Sequence, residues 1–279
     1  MKRVVTIQDI SCLGKCSLTV ALPIISAYGI ETCVIPTAVL STHTMFKGFT
    51  FRDLTDDMLP ILNHWQNEDF KFNAIYTGYL GSFEQLEIVK EYFSALKSGD
   101  TVTVVDPVMA DNGKLYAGFT IEFAKEMAKL CGIADYVVPN LTEACFMLDK
   151  QYIESGYTRE YIEDILIGLT NLGAKTAILT GVSFKDGETG VMGYNKETNE
   201  FFEYYHKRIN ASYHGTGDIF SSAFVGGIVK GYTPLKALQI AADFTAKCIE
   251  ITVNDKNSVK YGVEFEYALP ELIKTLENN

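Results

Sequence analysis

Long apolar runs are missing from this 279-residue sequence. Pro23, Gly29, Gly226 and Gly227 break the candidates, so none reaches the roughly 20 residues that a membrane span requires. The first stretch offers only Val4 to Ile7 before Gln8 and Asp9, too short for the core of a signal peptide. A positive balance is missing too: 24 lysines and arginines against 35 acids leave a net charge of −11. Like charge repels at long range, which argues against coating duplex nucleic acid or an anionic membrane. An anionic substrate is then expected only at a locally positive site. The six cysteines (Cys12, Cys16, Cys33, Cys131, Cys145, Cys248) follow no disulfide framework. Most lie in apolar surroundings, where a thiol acts as a small hydrophobe, and a reducing, cytoplasmic compartment is expected. What is present suffices for a core. With 47% hydrophobic, 12% aromatic and 21% charged residues and only 7 prolines, the chain can offset its ordering entropy without staples.

Short β-branched runs alternate with longer amphipathic ones, the pattern of crossover units and a mainly parallel sheet. Strands are expected at Val4–Gln8, Thr32–Thr37, Asn73–Thr77, Thr101–Val105, Tyr136–Pro139 and Thr176–Thr180. Between them, Ser17 to Tyr28 carries Leu18, Ala21, Leu22 and Ile25 at helical spacing, with Gly29 as the stop. Ser82 and Gln85 stand at capping-box spacing before Leu86, Val89, Phe93 and Leu96. Further helices are expected from about Ile121 to Gly132, from Asn140 or Thr142, and from the cap Thr158 to Gly173. Asp186-Gly187 and Asn195 to Asn199 punctuate Lys185 to Tyr205, which predicts an antiparallel hairpin or meander at one edge. Thr233-Pro234 caps a helix to about Ile251, and Pro270 opens the last one. No charge block, low-complexity stretch or repeat marks a linker, so a single domain over 1–279 is expected. In such open sheets ligands bind beyond the carboxyl ends of the strands.

The most informative segment is His214-Gly215-Thr216-Gly217-Asp218 before the helical Ile219-Phe220-Ser221-Ser222-Ala223-Phe224. Glycines and a threonine before a helix expose backbone N–H groups at the positive end of its dipole, an anion site. Asp218 then stands in the first turn, where a carboxylate is expensive unless it accepts a proton from an attacking hydroxyl while the turn holds a transferring phosphate. The plainer alternative is a helix N-terminus with a favourable acid and glycines for a turn. Asp106-Pro107-Val108-Met109-Ala110-Asp111 puts two acids just past a strand, and Asn140-Leu141-Thr142-Glu143 puts a third past the next. Converging carboxylates suit a hard cation such as Mg²⁺, held through phosphates and one or two acids. Alternatively Asp106 closes a turn, and Asn140 and Glu143 form a capping pair; both roles can coexist. Gly14-Lys15 is no P-loop, since Asp9 and Cys16 occupy the glycine and Ser/Thr positions, and Phe220 spoils a dinucleotide fingerprint.

Taken together, these segments resemble the ribokinase superfamily, and in detail its pyridoxal/pyridoxamine kinase branch, over nearly the whole chain. Gly215-Thr216-Gly217-Asp218 resembles the anion-hole motif, with Asp218 at the position of the catalytic base. The 106–111 segment resembles D-P-V-x-G-D, and Asn140-x-x-Glu143 the metal-linked N-x-x-E. Ile7-Gln8-Asp9 resembles the I-Q-S start, Ser41-Thr42-His43-Thr44 the S-N-H-T segment at the pyridine ring, and Gly78-Tyr79-Leu80-Gly81-Ser82 matches G-Y-L-G-S. The resemblance implies an α/β fold, a ribokinase-like three-layer sandwich with helices on both faces of a mainly parallel sheet and an antiparallel edge. It implies that Thr44, with His43 beside it, meets the ring, that Tyr79 lines the ring pocket, and that Asp111 through Tyr116 form a flap over ATP. Asp106, Asn140 and Thr180 would lie on the nucleotide side, with Mg²⁺ positioned through water by Asp111 and Glu143. The implied reaction is ATP-dependent phosphorylation of the 5′-hydroxymethyl group of a B6 vitamer; a sister kinase for hydroxymethylpyrimidine or a sugar, or a non-enzymatic B6 or nucleotide binder, is the alternative. A homodimer is implied, a monovalent cation such as K⁺ is left open, and neither nucleic acid nor membrane is a partner. Two departures stand out: Ala110 replaces a glycine, and Asp9 replaces the serine at the ring nitrogen unless Ser11 serves. An Asp there would pair with a protonated ring nitrogen; its bland reading is an exposed turn acid.

Overall fold

A computed structural model of the chain describes residues 1–278. The chain opens with the buried strand β1 (Arg3–Ser11) and passes through a short loop into α1 (Leu18–Ala27). Strand β2 (Glu31–Leu40) runs parallel to β1, and β3 (Phe51–Asp53) pairs antiparallel with β2. Two β-α repeats follow: α2 (Thr55–Asn67) leads to β4 (Ala74–Thr77), and α3 (Phe83–Leu96) to β5 (Val102–Val105). A separate two-stranded hairpin, β6 (Ala110–Asp111) and β7 (Lys114–Leu115), stands beyond β5. The alternation resumes with α4 (Ile121–Cys131), β8 (Tyr136–Val137), α5 (Leu141–Leu148), α6 (Arg159–Asn171) and β9 (Thr176–Val182). The hairpin β10 (Glu188–Asn195) and β11 (Glu200–Lys207) then gives way to α7 (Thr216–Lys230), α8 (Pro234–Asn254) and α9 (Leu269–Glu277).

The strands form one nine-stranded sheet in the order β11-β10-β9-β8-β5-β4-β1-β2-β3. Its middle, from β9 to β2, is parallel, and both margins are antiparallel. Alternate residues of each central strand serve opposite faces: Val5, Ile7 and Ile75 pack with Met58, Leu86, Met127 and Ile165 from α2, α3, α4 and α6. Val4, Ala74 and Tyr76 pack with Val20, Phe224, Leu238 and Leu272 from α1, α7, α8 and α9. Period-2 alternation between two apolar layers is what a parallel sheet buried on both sides requires. The three-layer α/β sandwich with an antiparallel edge is therefore the fold.

Differences from expectation have local causes. The Tyr136–Pro139 strand pairs as a ladder only over Tyr136–Val137. Ser82 caps α3 by accepting from Gln85 N–H, but Gln85 Oε1 accepts from Gly81 N–H at 2.7 Å, so the box closes one residue early. Gln85 Nε2 instead donates to Thr37 O and Thr55 Oγ1, tying α3 to β2 and α2. Neither β3 nor α2 is anticipated by the sequence reading; Pro60 lies inside α2. The carboxyl ends of β1, β4 and β5 lie side by side at the centre of the sheet, and the acids singled out above converge there.

Candidate active site

The anion turn is built by a close approach of two backbones. Gly215, the N-cap of α7, has φ 83°, and a Cβ there would stand 2.2 Å from the Lys15 carbonyl oxygen. Only glycine suits both constraints. The first amides of α7 have no acceptor within the helix, and a Cβ on Gly217 would meet nothing within 4 Å, so the cradle over them is open. Asp218 lies in the first turn of α7, 8% exposed, with its Oδ2 accepting the Ser17 N–H at 3.0 Å. Burial pushes its carboxyl up to about 7; the Ser17 N–H pulls the other way, and Asp9 adds to the rise.

Asp106 follows β5 and is buried, its Oδ2 accepting from Ser221 Oγ at 2.7 Å. Burial, and then Asp218, raise its carboxyl well above the ordinary range; among the described residues no lysine or arginine is a cause of the shift on either acid. Glu143 and Asn140 do form the reciprocal capping box at α5. Glu143 reaches further: Oε2 accepts from Asn140 N–H at 2.9 Å and Oε1 from Met109 N–H at 3.1 Å, clamping the 106–111 segment. Asn140 Nδ2 donates to Ala110 O, fixing the root of the hairpin. Asp111 is exposed and accepts from the Asn112 backbone and side chain. At the hairpin tip Gly113 has φ 74° and donates its N–H to Thr142 Oγ1, and a Cβ on it would meet the Tyr152 ring at 2.9 Å. Tyr116 sits near four acids: burial raises its phenol, and Glu143, Asp111, Asp218 and Asp106 raise it further. Thr180 bridges to Asn140 on the same rim. The hairpin thus overhangs the acids.

The other end of the site lies at β1. The β1/β2 register shifts between Gln8 and Ile10, a bulge that re-aims Asp9. Asp9 is 4% exposed rather than an exposed turn acid, and Ser11 Oγ donates to its Oδ2 at 3.0 Å. Burial raises its carboxyl, against hydroxyl partners Ser17 and Ser11, and among the described residues it has no ion pair. Tyr79, past β4, is half-buried; burial and Asp9 raise its phenol. His43 is buried with both ring nitrogens engaged: Nε2 donates to Tyr261 O at 2.9 Å and Nδ1 accepts the Met45 N–H. It can offer a ligand its ring but no free nitrogen. Thr44 is exposed beside it.

Two participants, Ser17 and Ser221, escaped the sequence reading, which leaves open whether His214 contacts phosphate or packs. Ser17 acts through a backbone N–H, which no side-chain pattern announces. Ser221 had a signal, since it lies one turn after Asp218 on the same helix. His214 packs its ring 4.4 Å from that of His43, and burial together with His43 pushes its imidazole down to about 4, so it is neutral at pH 7.

Residues 22–263 match the family described as phosphomethylpyrimidine kinase. The chain is 26% identical to a pyridoxal kinase of Dictyostelium discoideum, over 99% of this chain and 96% of that one. It is 27% identical to a hydroxymethylpyrimidine/phosphomethylpyrimidine kinase of Aquifex aeolicus, over 86% and 87% of the two chains. Among solved structures, a candidate phosphomethylpyrimidine kinase of Bacteroides thetaiotaomicron, crystallised with pyridoxal, superposes with a TM-score of 0.92 at 38% identity, covering 97% of this chain and 95% of its own.

Proposed function

The chain belongs to the phosphomethylpyrimidine kinase family and is a kinase, and from that premise we propose that it transfers the γ-phosphoryl group of ATP to the 5′-hydroxymethyl group of a B6 vitamer. The observation that carries the reading is Asp218: a buried carboxyl raised to about 7, one residue after an open turn of backbone amides. Asp218 takes the proton as the hydroxyl oxygen attacks the γ-phosphorus, the bond to the β-γ bridging oxygen breaks, and ADP leaves. The amides of Gly215, Thr216 and Gly217 face the charge that spreads over the transferring oxygens. A base poised near neutrality suits this proton transfer. The overhanging hairpin would exclude water from the reacting phosphate, with Tyr116, Asn140 and Thr180 along the nucleotide rim.

A polyphosphate entering beside Asp106 and Asp218 needs a counter-cation, and oxygen donors fit a hard one. When bound, Mg²⁺ would neutralise charge on the β- and γ-phosphates. Asp111, exposed on the hairpin, and Glu143 would hold it through water; Glu143 has both oxygens committed to backbone amides and so serves chiefly to fix the loop.

At the vitamer end, Asp9 would accept a charge-assisted hydrogen bond from a protonated ring nitrogen, with Tyr79 and the His43–Thr44 segment around the ring. A protonated ring would supply the ion-pair partner that this buried acid lacks among the described residues. Pyridoxal bound in the B. thetaiotaomicron relative and the name of the D. discoideum relative support a pyridine. The family description and the A. aeolicus relative favour a hydroxymethylpyrimidine instead. One assay separates them: ADP release with pyridoxal, pyridoxamine, pyridoxine, hydroxymethylpyrimidine and ribose. Turnover on the three vitamers with little on the others is expected, and turnover confined to the pyrimidine would overturn the B6 assignment.

A further inference from the structure

The loop between β1 and α1 is bent in a way that side chains resist. Lys15 has φ 51°, and Ser17 has φ 51° with ψ −134°, a region populated almost only by glycine. Such strain persists where the surroundings over-determine it. Here the Lys15 carbonyl abuts Gly215, and a Cβ on Gly262 would stand 2.7 Å from the Lys15 Cβ. Ser17 is the N-cap of α1 yet makes no side-chain cap. Its N–H instead donates to Asp218 Oδ2 at 3.0 Å across 201 residues of sequence, and Asp218 Oδ1 has no hydrogen-bond partner among the described residues. One carboxylate oxygen is held and the other is free to take a proton. The carboxylate also stands between the positive ends of α1 and α7.

Resting on the reading of Asp218 as the base, we infer that Ser17 is a positioning residue: its backbone N–H, presented by the strained loop, fixes Asp218 Oδ2 and leaves Oδ1 for the substrate hydroxyl. The N–H also favours the ionised carboxylate against the acids that face it, Asp9 from β1 and Asp106 after β5; Tyr76 on β4, Tyr116 on the hairpin and Cys16 in the loop face it too but are raised by burial and stay uncharged where it titrates.

The test replaces the Ser17 amide with an ester in the full chain, using the α-hydroxy analogue of serine, and follows kcat against pH with the best substrate of the panel. The acidic limb should move up by roughly one to two pH units, with kcat recovering at high pH, because a hydrogen bond to a charged group is lost. Ser17→Ala keeps the N–H and removes only the hydroxyl that partners Asp9, so the shift in the ester chain must exceed any shift in this variant; equal shifts in both overturn the role of the N–H. Thr19→Val, which removes the hydroxyl bonded to Cys16 O, controls for the weaker ester carbonyl. An unmoved limb in the ester chain, with Asp218→Asn still inactive, overturns the role of Ser17 alone; an active Asp218→Asn overturns the base assignment beneath it. If the ester chain does not fold, exchange of the Ser17 amide decides: it should be faster in Asp218→Ala by about tenfold or more, and equal rates overturn the inference.

Discussion

At the scale of single residues, the site is an arrangement of buried acids, Asp9, Asp106 and Asp218, that form no ion pair with a lysine or arginine among the described residues. Asp218→Asn keeps the shape and removes the base, so kcat should fall by about 10²–10⁴ with little change in KM for ATP, measured by steady-state ADP release. Asp9→Ala should raise KM for the vitamer far more than KM for ATP; equal effects on both would remove the proposed contact with the ring nitrogen. The sequence announced Asp218 and Asp106 because one stands in the first turn of a recognisable helix and the other just past a recognisable strand. It could not announce that Asp9 is buried, since a lone acid after an apolar run reads equally as a turn, and only the β1/β2 bulge turns it inward. Nor could it show that His43 has no free nitrogen, because Tyr261 lies 218 residues away.

Among the elements, the β6–β7 hairpin is held at root and tip by different groups: Asn140 Nδ2 on Ala110 O, and Thr142 Oγ1 on the Gly113 N–H. Gly113→Val would force a Cβ against the Tyr152 ring in a left-handed conformation and should loosen the tip. KM for ATP should then rise several-fold while the vitamer KM moves less, and protease nicking near Asn112-Gly113, which ATP should suppress in the native chain, should persist with ATP present. Nicking of the native chain that ignores ATP would refute the flap. The strands and most helices were legible because period-2 and period-3.6 patterns are local, and the caps Thr158 and Thr233 accept their expected N–H groups. Helix α2 was not, because Pro60 removes a donor within it and its start lacks a side-chain cap. It is fixed by tertiary contacts instead, Met58 and Leu62 in the core and Gln85 on Thr55.

The whole molecule carries the cost of this site in its stability. Asp218, Asp106 and Glu143 are all raised, with burial as the first cause, so above about pH 4 the unfolded chain ionises while the folded chain still holds protons. Stability from these groups therefore falls as pH rises towards 7 and beyond. Asp135, held down to about 2 against its burial by Lys175, Lys97 and Thr103, contributes stability that is lost as pH drops below about 4. His214, kept neutral in the fold, contributes stability that is lost below about 6.5, but one imidazole opposes three acids. Asp218→Asn should thus raise Tm more at pH 8 than at pH 5, by about 2–4 °C for each kcal/mol recovered, as followed by thermal unfolding. An equal change at both values would mean that Asp218 is not strained by its charge. The most direct test of the whole account is a crystal structure of the chain with a non-hydrolysable ATP analogue and a vitamer. The γ-phosphate should lie on the amides of Gly215 to Gly217, with the 5′-hydroxyl within hydrogen-bond reach of Asp218 Oδ1. A γ-phosphate bound away from that turn, or a vitamer hydroxyl directed away from Asp218, would contradict it.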